Sequence, residues 1–473
     1  MGTINSAFSL ISGALEADQS ALSIVANNVA NANTPGYTQE RPNWQENQPL
    51  EINGVSYGQG VTETGATSLR DSVLVTRLDQ QQQLASASSA RLTALDSLQA
   101  LFPPDSGSAS AKAGDIGSDI TTFFSSFASL EANPSDASLR EEVLSSATTL
   151  AGDISNAAAS LNDQSAGLGQ EAAGVTSQVN SLTTAIAQLN QQIQTTSPSA
   201  DGGTLEDQRN QDISQLSQLV GINQIKTENN GLSITTTSGQ LLVSEGTSFQ
   251  LSSGLVNGAT HFFLGNSDIT SQLATGGGQL GGYLTAATQD IPSAMATLDQ
   301  LAYSISTSVN ALNNAGTDLN GATGSAASPL YVFNEPLQVA GSAQAMAVIM
   351  TNPDQIAAAG AGLGPGDNSN ALAMANLANQ AIAGGATPTD YYSNFVSTLG
   401  ATVSGVQAEN MAQNASVSQL QTQNNALSSV NLNDEAAAMS TLQTSYQAAS
   451  QVFNILNTIM TSALNLGVQT TVS

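Results

Sequence analysis

The chain has 473 residues, only 9% of them charged, and a formal net charge of −28 from 36 acids and eight bases. A chain of this length can bury one sizeable core or several, but a surface so acidic and so poor in Lys and Arg excludes a nucleic-acid binder and a ligand of anionic membranes. Cysteine is absent, which excludes disulfides and thiol chemistry, and no run of about 18 apolar residues offers a membrane-spanning helix.

Residues 3–33 read as one helix. Ile4, Phe8, Ile11, Leu15, Leu22, Val25 and Val29 step by three and four, with Asp18 as the single interruption, and such a seam asks for a partner helix. The apolar residues are spaced, not contiguous, and no basic n-region precedes them, so the segment is not read as a cleavable secretory signal. Pro35-Gly36 ends the helix, because Pro disfavours a helical Thr34 and Gly accepts a positive φ. Residues 37–70 read as extended, a hairpin or ordered loop, since Pro42, Pro49, Gly54, Gly58 and Gly60 forbid a long helix.

A second helix runs from Leu74 through Leu78, Leu92 and Leu95 to Phe102, stopped by Pro103-Pro104. Residues 115–131 and 135–195 read as further helices, the latter carrying the seam Val175, Val179, Leu182, Ile186, Leu189 and Ile193. After a loop at 197–203 comes a short helix from Leu205 to Val220, ended by Gly221. The period then changes. Ile222 to Leu264 shows strand-like runs separated by Asn230-Gly231, Ser238-Gly239 and Asn257-Gly258. Leu284, Ala287, Ile291, Ala294, Leu298, Leu301 and Ile305 mark a long return helix, with Pro292 kinking it or sitting in its first turn. Residues 316–350 are assigned to the β-rich part.

Residues 389–427 and 434–466 return to helix. The last carries a second seam of Met439, Leu442, Tyr446, Ala449, Phe453, Leu456, Met460 and Ala463. The fold expected is mainly α with a β-rich insertion (α+β), a discontinuous helical rod made by the two chain ends with a β-rich middle domain projecting from it. The boundaries expected are residues 1–70 with 430–473 as a terminal coiled-coil region, 71–220 with 351–429 as a helical bundle, and 221–350 as a β-rich outer domain whose return helix spans about 283–315.

No catalytic constellation stands out. His261 lies in a strand-like run and reads as structural, and with neither Cys nor a second His no zinc site can be composed. Asp318-Leu319-Asn320-Gly321 reads as a turn, not a calcium loop. Gly276-Gly277-Gly278 and Gly364-Pro365-Gly366-Asp367 lack the Lys of a phosphate loop. We therefore expect no catalytic, cofactor-binding or metal-ligating residue and no cofactor. The candidate functional residues are those of assembly: the two seams above, together with Asn28, Asn31, Pro35, Gly36 and Tyr37.

That last group belongs to a motif. Asn27-Asn28-Val29-Ala30-Asn31-Ala32-Asn33-Thr34-Pro35-Gly36-Tyr37 resembles the signature of the axial proteins of the bacterial flagellum, namely rod, hook and hook-associated proteins. Val430-Asn431-Leu432 to Leu464-Asn465-Leu466, with Gln443-Thr444-Ser445-Tyr446-Gln447-Ala448, resembles the matching C-terminal motif. Internal stretches narrow the resemblance to the hook-associated family of the hook–filament junction. They are Leu205-Glu206-Asp207-Gln208-Arg209-Asn210, Gly281-Gly282-Tyr283-Leu284, Leu298-Asp299-Gln300-Leu301-Ala302, Gly366-Asp367-Asn368-Ser369-Asn370 and Asp390-Tyr391-Tyr392. The chain departs from that family at Gln39 and Gln451, where relatives commonly carry a cation.

The resemblance implies a structural protein and no enzyme. It implies export through the flagellar type III channel without a cleaved signal, and an extracellular place at the hook–filament junction. The partners implied are copies of itself in a ring or short helical segment, the hook protein, a second junction protein, and an export chaperone with the export apparatus. A hook or distal-rod protein shares both end motifs and is the alternative. A secreted enzyme on a flagellar scaffold would need a His-Glu-x-x-His constellation, which one histidine cannot supply.

Overall fold

Where apolar residues recur every three or four positions, the chain is helical. The structure, a computed structural model, describes residues 2–52, 55–103, 115–195, 203–228 and 230–468. Pro104, Gly54 and most of the loop read at 197–203 lie outside those residues. The helices are α1 (Gly2–Asn31), α2 (Ser72–Ala100), α3 (Ile116–Ala132), α4 (Ala137–Thr195), α5 (Gly203–Leu219), α6 (Thr270–Ala274), α7 (Gly278–Thr285), α8 (Ile291–Ala315), α9 (Ser342–Ala345), α10 (Ser369–Asn376), α11 (Pro388–Ser428) and α12 (Leu432–Val468). The protein is mainly α with small antiparallel sheets.

Two units divide the chain. The first holds residues 1–85, 177–251 and 413–473, and the second residues 86–176 and 252–412, so α2, α4 and α11 supply residues to both.

In the first unit, α1 ends as its sequence requires. Thr34 N donates to Asn31 O at 2.9 Å, and Gly36 turns the chain at φ +81°. The extended stretch becomes β1 (Glu40–Glu46) paired antiparallel with β4 (Val61–Ser68), with β2 (Leu50–Ile52) and β3 (Val55–Tyr57) as a small hairpin between them. The β1–β4 register slips between Pro42 and Trp44, where proline has no N–H to give the ladder. Gly60, at φ +78°, turns against α1 so closely that a Cβ there would meet Leu10 Cδ1 at 2.7 Å. A second sheet follows α5: β5 (Ile222–Lys226), β6 (Leu232–Thr236), β7 (Leu241–Ser244) and β8 (Thr247–Ser248) in consecutive order. Asn190 of α4 ties the sheet down, donating to Leu232 O at the start of β6 and to Glu245 O in the β7–β8 turn at 2.8 Å each.

The β-rich stretch thus supplies two separate sheets. The other, in the second unit, is the three-stranded β11–β10–β9, made by β9 (Leu251–Val256), β10 (Ala259–Leu264) and β11 (Ser267–Asp268). His261 pairs there with Asp268 at 2.6 Å on the surface. The apolar core of this unit gathers Phe102, Phe123, Phe127, Phe333, Ile120, Leu150, Leu298 and Ile305, each essentially inaccessible to water. Gly282 fits α7 against α2, since a Cβ would stand 2.3 Å from Ala87 O. Between α7 and α8 the helix widens to one π turn, Ala286–Asp290, directly before Pro292. Pro292 has no N–H for the preceding turn, and the wider turn accommodates it.

Residues 316–350, expected to join the β-rich part, form no ladder. Among the described residues they carry isolated bridges such as Phe333↔Val348 and the single-turn α9. The reason lies on α8. Asn310 Oδ1 accepts from Val332 N and Phe333 N at 3.0 Å each, Asn313 Nδ2 donates to Leu330 O at 2.8 Å, and Asp299 accepts from Gly341 N and Ala343 N at 2.9 Å. Side chains of one helix satisfy a backbone that would otherwise need a neighbouring strand. Asp318, read as a turn residue, closes one by accepting from Asn320 N and Ala322 N.

Candidate functional site

The two terminal seams face each other. Phe8 and Phe453 stack with ring centroids 4.4 Å apart, a tilted pair stabilised by about 1 kcal/mol beyond its burial. Ile11, Leu15 and Leu22 on α1, and Met439, Leu442, Leu456 and Met460 on α12, are half-buried. The side chain of Ile4 lies outside the described residues. Spacing placed Val29 on the seam, but it is 38% exposed, and Tyr446 is 37% exposed. The closest packing on α1 instead falls at Ala17, Ala21 and Val25. The large-residue periodicity passed over the two alanines because their small side chains carry little hydrophobicity.

A polar node closes the far end of α1. Asn28 is 1% exposed and uses its whole amide. Its Nδ2 donates to Glu40 O at 2.8 Å and Glu435 Oε1 at 3.2 Å, and its Oδ1 accepts from Tyr37 Oη at 2.8 Å and Glu40 N at 3.0 Å. Glu435, in the first turn of α12, is 4% exposed and also accepts from Gln39 Nε2 at 2.6 Å. Gln39 meets the buried carboxylate with a neutral amide. Its own N–H donates to Ser428 O at 2.9 Å, binding the α11–α12 connection to the same turn.

The motif's remaining residues build that turn. Asn31 accepts from Thr34 Oγ1 and donates to Asn27 O, while Pro35 and Gly36 stand at the surface. Burial, followed by Glu40, Asp207 and Glu435, pushes the Tyr37 hydroxyl up to about 12, so it stays a proton donor to Asn28. Thr38 N donates to Asp207 Oδ2 at 3.0 Å, and Arg70 binds both Asp207 and Glu206, at 3.1 Å to the latter. Sequence reading did not single out Glu435 or Arg70. An acid in a first helical turn reads as a solvent-facing partner of the helix dipole, and nothing local says that this one is buried.

α12 carries a second apolar row that α1 does not cover. Val452, Ile455 and Ile459 are 44%, 58% and 48% exposed. The site therefore holds two chain ends in one register and leaves an apolar stripe beside the joint. Its chemistry is that of docking and binding.

The pattern of the flagellar hook-associated protein FlgK helical domain matches residues 107–327, and that of the flagella basal body rod protein matches residues 11–38. The flagellar hook-associated protein 1 of Salmonella typhimurium is 26% identical, over 96% of this chain and 98% of its own. That of Bacillus subtilis is 24% identical over 96% of each chain. The solved structure of the flagellar hook junction protein FlgK from Burkholderia pseudomallei shares the fold, with a TM-score of 0.64 at 19% identity, over 74% of this chain and 99% of that one. Over nearly its whole length the chain is similar to the flagellar hook-associated proteins of the FlgK kind.

Proposed function

We infer that this chain is a structural subunit of the bacterial flagellum that forms the junction between hook and filament. The observation that carries this reading is the match of the helical domain at residues 107–327. The terminal motifs are common to rod, hook and hook-associated proteins, and this middle segment is what separates them. The role is mechanical, not catalytic. Residues 1–70 and 430–473 act as the assembly module, built around Ile4, Phe8, Leu22, Asn28, Tyr37, Phe453 and Met460. The uncovered row of α12 takes a neighbouring copy, and each large apolar side chain buried there contributes roughly 1.5–3 kcal/mol. The hook protein meets one side of the assembly and a second junction protein the other. The subunit reaches that place outside the cell through the flagellar export apparatus, with a chaperone.

A deletion strain tests this reading. It should build hooks without filaments and shed filament protein into the medium, as read by electron microscopy and by blotting cells and supernatant. Loss of the hook itself would favour a hook or rod subunit. Normal filaments would end the junction assignment.

A further inference from the structure

The first unit contains a cavity of about 320 Å³ that the assembly reading does not use. Its lining includes Arg70, Arg209 and Lys226, three of the eight cationic side chains in a chain of net charge −28. Such convergence runs against the composition and calls for a local cause.

Arg70 is neutralised by Glu206 and Asp207. The other two cations are not. Among the described residues, no carboxylate lies within ion-pairing distance of Arg209 or Lys226. Arg209 is 8% exposed, and one end of its guanidinium is spent on neutral acceptors, Asn190 Oδ1 at 2.9 Å and Asn230 O at 2.7 Å. Those bonds fix the side chain. They leave Nε, a buried donor, without a partner. The Thr227 hydroxyl on the same cavity wall is also buried without a partner. Among the described residues Lys226 bonds Ser72 Oγ alone, at 3.3 Å. Burial and the neighbouring Arg70 both disfavour the charge on Arg209, while Glu206 partly supports it.

An orphaned guanidinium N–H, an orphaned hydroxyl and an ammonium around one cavity form a donor set short of an acceptor. A compact oxyanion answers all three at once, with hydrogen bonds that are charge-assisted. We propose that this cavity is an oxyanion-binding site that takes a carboxylate or phosphate group between Arg209, Thr227 and Lys226. The group comes either from a free anion or from an acidic side chain of a second copy of this strongly acidic chain.

Calorimetric titration of the full chain with inorganic phosphate, and separately with succinate, at constant ionic strength tests the site. We expect saturable one-to-one binding of at least one of them, weakened about tenfold by Lys226→Ala and by Thr227→Val. Neither variant touches the bonds of Arg209 to Asn190 and Asn230, and circular dichroism confirms folding. Where a neighbouring copy supplies the carboxylate, phosphate should instead reverse concentration-dependent self-association in sedimentation runs of the native chain, and not of Thr227→Val. Binding that both variants retain overturns the site. Absence of binding together with self-association indifferent to phosphate overturns it as well.

Discussion

Asn28 and Glu435 stand 407 positions apart in the chain, and their side chains meet at 3.2 Å in a buried node. Among the described residues no cation pairs with this buried carboxylate; neutral donors hold it, and each of them matters. Asn28→Ala would leave Glu435 short of a donor, and Tyr37 Oη and Glu40 N without their acceptor. The expected loss is about 2–4 kcal/mol of docking between α1 and α12. Hydrogen exchange should show it as faster exchange of α12 amides, with the second unit unchanged.

Gln39→Arg replaces the neutral donor to Glu435 with a cationic one. We expect it to stabilise the first unit by about 1 kcal/mol at neutral pH. Thermal melts of the variant and the native chain check both the gain and its sign.

Ile455 belongs to the uncovered row of α12, and Phe453 to the row that meets Phe8. Ile455→Ser should leave the monomer's melting unchanged and weaken assembly. Phe453→Asp should damage both, because it places a charge in the α1–α12 seam at a cost of several kcal/mol. Filament counts set beside monomer melts separate the two rows. Equal melts for both variants would refute the distinction.

Asp79 is 2% exposed, and burial raises its carboxyl to about 7, partly offset by the hydrogen bonds of Gln224 and Ser214. A carboxyl raised in the folded state favours folding below its unfolded value near 3.8, and that contribution is lost as pH rises through about 7. Asp79→Asn should therefore raise the stability of the first unit at pH 8 and flatten its pH dependence between about 4 and 7. Urea titrations across that window read the slope.

Much of this fold is legible in the chain because its helices are long and periodic. α4, α8 and α12 announce themselves by seams, and the Asn-Gly and Ser-Gly pairs fall at turns between strands. Residues 316–350 misled because their short apolar runs look like strands, while their backbone partners are side chains of α8. Those partners, Asn310 and Asn313, read locally as ordinary helix polar residues. The Asn28 motif was visible, but its acceptor was not. Glu435 carries no local sign of burial, and Ala17 and Ala21 carry too little hydrophobicity to mark the tightest contact on α1.

The node also sets an order of events in folding. Its bonds to Glu435 join positions hundreds of residues apart, whereas the backbone bonds of α4 or α8 join neighbours one turn apart. Long closures form slowly, because the chain entropy they cost must be met before any contact repays it. The helical segments should therefore be in place first, with the meeting of α1 and α12 the last event in the first unit. A subunit caught before that event presents both terminal apolar rows to its surroundings, which is the condition in which a neighbour can still choose how to receive it.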